Sequence, residues 1–325
     1  MANDHFNFKK KRYDVIDSVV LGRKTYLLTK QLSSGLRRRF LAFDRIACPG
    51  GALRIVQLMP DSREAMQRVG VLHRLSQRNS ELPQILEFHR LKGEIGSVET
   101  WLEGNDLRWW IRKMRSSDRQ RLGTPESLRL FRQLAHALQH LHRHCGVIHG
   151  DIKPANIIVN NRSRRLSIID FGSAWGAERT SRRHRGDGKS DIYSAPEVLT
   201  NRHGVDFRAD YFSLAAVCFE TLTLQPPFEG LGGRAGLPQY EGERDSLYLP
   251  PSQLSPEKDK VAGQLWTSID SLFATSLSLE PNARQKNGTD WLAQWDSVVE
   301  QIQSKATPSL GSRLLTSVMN WIDRR

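Results

Sequence analysis

The sequence predicts an α+β protein in which a small antiparallel sheet precedes a larger helical half. Three observations support this. Short strand-like runs set between glycine turns fill the first hundred residues, apolar positions repeat at helical spacing from Thr124 onward, and no internal repeat or long low-complexity linker interrupts the chain. At 325 residues the chain has room for one large domain or two moderate ones.

The strand-like runs are TYLLTKQL (25–32), RRFLAFDRI (38–46) and ALRIVQLM (52–59), separated by turns at Ser33 to Gly35 and Pro49 to Gly51. From Ser62 to Leu75, the residues Met66, Val69, Leu72 and Leu75 fall three apart and describe one helical stripe. A further strand is expected around Ile95 to Leu102. Thr124, Pro125 and Glu126 supply an N-cap, a first-turn proline and a first-turn acid, and Leu130, Phe131, Leu134, Leu138 and Leu141 then continue the helix. Later helices are expected at 207–224, 264–277 and 289–303, with 229–262 as a surface excursion rich in Gly, Pro and charge. A cleft is expected where the two halves meet.

With 38% apolar and 26% charged residues, the composition excludes a disordered polymer and a membrane channel. No apolar run approaches the roughly 18 residues needed to span a bilayer, and the first residues lack the apolar core of a signal peptide, so a cytoplasmic location is expected. Cys48, Cys145 and Cys218 are odd in number and far apart, which fits buried thiols rather than a disulfide framework or a zinc site. The net charge of +13 attracts polyanions in general, including an acidic partner, without specifying nucleic acid. It gathers in clusters such as Lys9 to Arg12, Arg37 to Arg39, and Arg179, Arg182, Arg183 and Arg185.

Three strings have the spacing of a phosphoryl-transfer site. HGDIKPAN (149–156) puts Asp151, Lys153 and Asn156 on one short loop, IIDFG places Asp170 after an apolar strand, and APE runs from Ala195 to Glu197. Moving a γ-phosphoryl group calls for a carboxylate to orient the attacking hydroxyl, oxygen ligands to hold Mg²⁺ against the phosphates, and a cation to offset charge on the transferred group. Asp151, Asn156 with Asp170, and Lys153 can fill those roles in that order.

Together these strings resemble the catalytic core of the serine/threonine (Hanks-type) protein kinases, over roughly residues 25 to 300. The catalytic loop matches H-R-D-x-K-P-x-N except that Gly150 stands where the Arg would be. DYFSLAAVCFETLT (210–223) is similar to the family's long central helix, and QPPF (225–228) to the segment after it. The resemblance implies that Asp210 braces the catalytic loop, that Arg284 pairs with Glu197, and that Ser190 bonds the catalytic Asp and Lys. It implies a bilobal kinase fold with an N-lobe at 25–103 and a C-lobe at 104–303; outside these, the residues themselves suggest a basic arm at 1–24 and an amphipathic tail at 304–325. It also implies ATP and Mg²⁺ as cofactors and protein Ser/Thr as the acceptor. Small-molecule phosphotransferases also open their loop with HGD, but the KPAN run and the APE segment favour a protein substrate.

The amino-terminal half departs from the family. Of the three loop glycines only Gly35 remains, Gln57 falls at the V-A-I-K lysine, and Arg68 falls at that lysine's glutamate partner. Two readings follow: a pseudokinase scaffold, or an enzyme in which another cation substitutes. With-no-lysine kinases resemble the second case, carrying their lysine at the third glycine position. Arg38 occupies that position here, flanked by Arg37 and Arg39, and strand alternation turns one or two of the three toward the cleft, with Glu64 available to orient it. The substitute-cation reading is favoured because Asp151, Lys153, Asn156 and Asp170 are all kept. By the family pattern, Thr100 and Leu102 contact adenine. Loss of the loop arginine at Gly150 weakens switching by activation-loop phosphate, although Thr180, Ser181 and Ser190 remain as autophosphorylation candidates. The tail residues Leu314, Leu315, Val318, Met319, Trp321 and Ile322 suit an amphipathic helix, with docking on the chain favoured over peripheral membrane contact.

Overall fold

Alternating side chains in the first residues build a hairpin from β1 (His5–Phe8) and β2 (Lys11–Asp14), with Lys9 and Lys10 turning it at φ 48° and 64°. Phe6 stacks on Phe43 with ring centroids 4.2 Å apart. The stretch expected to be a basic arm is therefore structured: its aromatics alternate onto the sheet, while its lysines are confined to the turn and the edge. The structure is a computed structural model that describes residues 5–47, 50–77, 82–117, 121–161, 163–171, 174–176, 192–200 and 204–306. The activation-segment candidates Thr180, Ser181 and Ser190 and the tail from residue 307 lie outside the described residues.

The main sheet comprises β3 (Asp17–Leu21), β4 (Lys24–Ser33), β5 (Arg38–Asp44), β6 (Ala52–Pro60), β7 (Ile85–Arg90) and β8 (Glu94–Thr100), antiparallel in the order β3-β4-β5-β6-β8-β7. Between β6 and β7 runs α1 (Arg63–Ser76), started by Ser62, whose Oγ accepts the Ala65 N–H at 3.0 Å. One face of the sheet closes on itself around Leu21, Tyr26, Leu28, Phe40, Ala42, Val56, Leu58 and Val98. Because strand side chains alternate, the opposite face carries Arg39, Gln57, Ser97 and Glu99.

The remaining elements are β9 (Gly104–Asp106), α2 (Leu107–Ser116), α3 (Thr124–Cys145), β10 (Val147–Ile148), β11 (Ile157–Asn160), β12 (Leu166–Ile168), β13 (Trp175–Gly176), α4 (Pro196–Thr200), α5 (Arg208–Thr223), α6 (Arg244–Leu247), α7 (Pro251–Leu254), α8 (Gly263–Ser276) and α9 (Gly288–Ala306). The chain forms two compact units. Residues 1–110 and 140–187 make one, and residues 111–139 and 188–325 make the other. The loop bearing Asp151 and the segment bearing Asp170 thus belong to the same unit as the six-stranded sheet.

In the second unit α5 is buried from Ala209 to Thr223, which fits its lack of a polar stripe. Tyr211 of α5 stacks on Trp291 of α9 at 4.2 Å. Burial pushes the Cys218 thiol well up, so it sits as an inert core residue. Arg284 donates to both carboxylate oxygens of Glu197 at 2.7 and 2.9 Å, the pairing the resemblance implies. Part of the excursion at 229–262 is packed inside: Gly232, Gly233 and Ala235 are buried, and the Gly233 N–H donates to Ile192 O at 3.1 Å. No helix among the described residues is long and apolar enough to cross a membrane.

Candidate active site

The loop residues Asp151, Lys153 and Asn156 are locked to one another. Lys153 Nζ lies 3.0 and 2.8 Å from the two Asp151 carboxylate oxygens. Asn156 Nδ2 donates to the Asp151 backbone oxygen at 2.8 Å and to Asp151 Oδ2 at 3.0 Å. His149 is fully buried beneath the loop. Its Nδ1 accepts the Asp151 N–H at 3.3 Å, so Nε2 carries the proton and donates to Ile169 O at 3.2 Å. The imidazole also meets the Phe171 ring edge-on at 4.8 Å. Gly150 sits at φ 68°, a left-handed conformation that glycine adopts without a Cβ penalty.

The β11–β12 hairpin brings Asp170 to this loop. Its register pairs Ile157 with Ile168, and the Ile169 N–H donates to Asn156 O at 2.8 Å. Asn156 and Asp170 are therefore neighbours at the open end of one hairpin. Asp170 is itself left-handed at φ 68°, a strained conformation for a non-glycine residue and one that concentrates at functional sites.

Of Arg37, which precedes β5, and Arg38 and Arg39, which open it, the structure brings Arg39, not Arg38, to Asp170. Arg39 Nη1 lies 3.0 Å from Asp170 Oδ2, and its Nη2 lies 3.7 Å from Glu99 Oε2. Arg38 instead makes two bonds to Glu94 at 2.8 and 2.9 Å, with its side chain 42% exposed. The reason is the two-residue period of a strand, in which one step reverses the face. Arg39 lies directly across from Gln57, and Gln57 across from Ser97, so these share a face with Glu99. Burial pushes the Glu99 carboxyl up and the nearby Asp170 charge adds to this, while the Arg39 guanidinium opposes both. Arg39 is only 9% exposed, and its Nε has no hydrogen-bond acceptor among the described residues, an omission that typically costs about 1–3 kcal/mol.

Gln57, Arg68, Ser97, Glu99 and Phe171 border a cavity of about 20 Å³, space for one water. Arg68 Nη1 donates to Ala174 O at 2.9 Å from within this wall, and Glu64 lies in the first turn of α1. Gly35 is left-handed at φ 93° in an open turn, with free space where a Cβ would sit. Thr100 closes β8, its N–H donating to Gln84 O at 2.9 Å and its Oγ1 accepting the Gln84 N–H at 3.1 Å. Leu102 is half-buried in the segment between β8 and β9.

The donor set fits a hard divalent cation. Asn156 spends its amide N–H₂ on Asp151, which leaves Oδ1 as an oxygen donor on a residue whose backbone is bonded to the one before Asp170. A cation such as Mg²⁺ needs only one or two such protein ligands when phosphate oxygens complete its shell. Among the described residues no cluster of three or more His, Cys, Asp or Glu forms a stand-alone metal cage. Sequence reasoning passed over Glu99. Its signal was its place in the strand EIGSVET, two residues from Ser97, where strand alternation puts it on the face of Gln57.

A protein kinase domain model matches residues 56–292, more than half of the chain. The serine/threonine-protein kinase PknJ of Mycobacterium tuberculosis is 34% identical over 165 residues, covering 50% of this chain and 26% of that protein. Serine/threonine-protein kinase PknF of the same organism is 26% identical over 256 residues, covering 73% of this chain and 50% of its own length. The chain thus spans between a quarter and half of these curated relatives. In fold it is similar to the Cydia pomonella granulovirus kinase PK-1, with a TM-score of 0.62 and 19% identity over 83% of this chain and 93% of that one. With the domain match running from β6 to α9 and the catalytic loop and Asp170 segment joined as above, this chain belongs to the protein kinase family.

Proposed function

We propose that the chain transfers the γ-phosphoryl group of ATP to Ser or Thr hydroxyls of protein substrates. The observation that carries this reading is the interlock of Lys153, Asp151 and Asn156, with Asp170 set beside it by the β11–β12 hairpin. A decayed site would be under no chemical demand to keep Asp151, Lys153, Asn156 and Asp170 together.

In this reading the Asp151 carboxylate accepts a hydrogen bond from the substrate hydroxyl and aims its oxygen at the γ-phosphorus. The new O–P bond forms as the bond to the β–γ bridging oxygen breaks, ADP leaves, and the hydroxyl proton passes to Asp151. Lys153, fixed against Asp151, offsets charge on the transferred group. Asn156 Oδ1 and Asp170 would hold Mg²⁺, which neutralises phosphate charge when bound. Gln57 offers a neutral amide where the family places its lysine. Gly35 lets the β4–β5 turn approach phosphate, and the Thr100 to Leu102 segment takes the adenine. The basic surface suits a substrate or partner with acidic segments, and a cytoplasmic location fits such substrates.

The scaffold reading has one specific observation in its favour: Gln57 and Arg68 stand where the family has its lysine and glutamate. Incubating the chain with Mg·ATP and a casein substrate, followed by mass-spectrometric mapping, separates the two. Phosphoserine or phosphothreonine is expected with the wild type and absent with Asp151→Ala. Nucleotide binding without any phosphate incorporation by the wild type would establish the scaffold instead.

A further inference from the structure

We infer that Arg39, anchored by Glu99 and paired with Asp170, is the cation that receives the nucleotide's phosphate charge. The inference rests on the phosphoryl-transfer reading and deepens it by naming the residue that stands in for the missing lysine.

Four observations meet on this one side chain. Arg39 lies on β5 directly across from Gln57 of β6, so a charge lost from one strand is available from its neighbour, roughly 4.8 Å away in the pairing direction. Its guanidinium lies 3.0 Å from Asp170. A carboxylate that holds a phosphate-bound cation is itself close to phosphate, so a guanidinium touching that carboxylate is within reach of the same anion. Third, the Nε donor of this nearly buried side chain has no acceptor among the described residues, and the planar donor fork of Arg matches phosphate oxygens. Finally, Glu99 is buried on the same face and pairs with the far side of the guanidinium, which keeps it at the site once Asp170 turns to the metal.

The neighbouring cations are otherwise engaged. Arg38 is held by both oxygens of Glu94 on the opposite face, and Arg68 donates to Ala174 O. Two cations, Arg39 and the divalent metal, therefore compete for Asp170, and entry of the metal nucleotide exchanges the Arg39–Asp170 pair for an Arg39–phosphate pair. Glu99 acts as a positioning residue, replacing an acid from α1, where Arg68 now stands.

The test compares the full chain with Arg39→Ala, Arg39→Lys, Arg38→Ala and the double variant Arg39→Gln/Glu99→Gln. The double variant leaves no carboxylate buried without a partner if Arg39→Ala does not fold. Calorimetric titration with Mg·ATP and, separately, with adenosine reads the phosphate contribution. Mn²⁺ titration without nucleotide, followed by electron paramagnetic resonance, reads the competition at Asp170.

Loss of Arg39 should weaken Mg·ATP by about 10- to 100-fold while leaving adenosine within about twofold. Arg39→Lys should recover part of the loss, and Arg38→Ala should match the wild type. Mn²⁺ should bind more tightly without Arg39, the opposite sign to the nucleotide effect and one that a merely structural role would not produce. Unchanged Mg·ATP affinity without Arg39, a loss with Arg38→Ala in its place, or unchanged Mn²⁺ affinity overturns the inference alone. A folded wild type that binds neither Mg·ATP nor adenosine overturns the phosphoryl-transfer reading along with it.

Discussion

Arg284→Ala tests the best-defined buried charge pair in the molecule. Arg284 and Glu197 have side-chain exposures of 0% and 2% and make two parallel bonds at 2.7 and 2.9 Å. The guanidinium also donates to Ser278 O at 2.8 Å and Arg208 O at 3.1 Å, and it lies over the Phe212 ring at 5.0 Å. Truncation leaves the Glu197 carboxylate desolvated without a countercharge and two carbonyls without their donor. Breaking such a pair from one side typically costs about 3–5 kcal/mol, a large share of the roughly 5–15 kcal/mol that holds a folded domain together. Urea denaturation followed by circular dichroism measures the loss, and Glu197→Gln with the double variant gives the coupling. The single variants should each lose several kcal/mol, and the double variant should lose less than their sum. A loss below about 1 kcal/mol for Arg284→Ala would refute the reasoning, because that is the range of exposed pairs.

Three further outcomes follow from the geometry. Burial alone would push the Glu87 carboxyl up, but hydrogen bonds from Tyr26 and His89 and the charge of Lys24 hold it below its ordinary value of 4.5. Its contribution to stability is therefore full above that value and disappears as pH falls through the lowered folded value. Tyr26→Phe should lose about 1.5–3 kcal/mol at pH 7, and denaturation at stepped pH should show the gap to wild type closing below 4.5. Gly150→Arg forces a side chain into a left-handed backbone and should cost about 1–2 kcal/mol in the same assay. Lys153→Ala, which removes the cation fixed against Asp151, should lower kcat by about 10²-fold while Mg·ATP affinity in calorimetry stays close to wild type.

Much of the helical half was legible because its signals are local. Thr124, Pro125 and Glu126 mark the start of α3, and the expected spans at 207–224, 264–277 and 289–303 correspond to α5, α8 and α9. The catalytic loop and Asp170 were legible for the same reason: their spacing is fixed by one short loop and one tight hairpin. The amino-terminal half was harder because its geometry depends on strand pairing between distant residues. The choice between Arg38 and Arg39 turns on a single step of alternation, and the register of β5 against β6, with that of β6 against β8, puts Arg39 on the face of Glu99. Glu99 carried no motif; its partner lies sixty positions away on another strand, a distance across which periodicity carries no information. The β1–β2 hairpin was hidden by composition, since its lysines suggest a solvated arm while Phe6 and Phe8 supply the packing on Phe43.

The proposed reaction depends above all on Asp151 orienting a hydroxyl for attack on ATP. Rapid-quench measurement of γ-phosphoryl transfer from Mg·ATP to a Ser/Thr protein substrate tests it most directly, with wild type beside Asp151→Asn and nucleotide binding measured for both. Transfer by the wild type is expected, with a fall of about 10²–10⁴-fold in the variant at unchanged ATP affinity. Equal transfer by the two proteins, or nucleotide bound by both with no transfer by either, would contradict it.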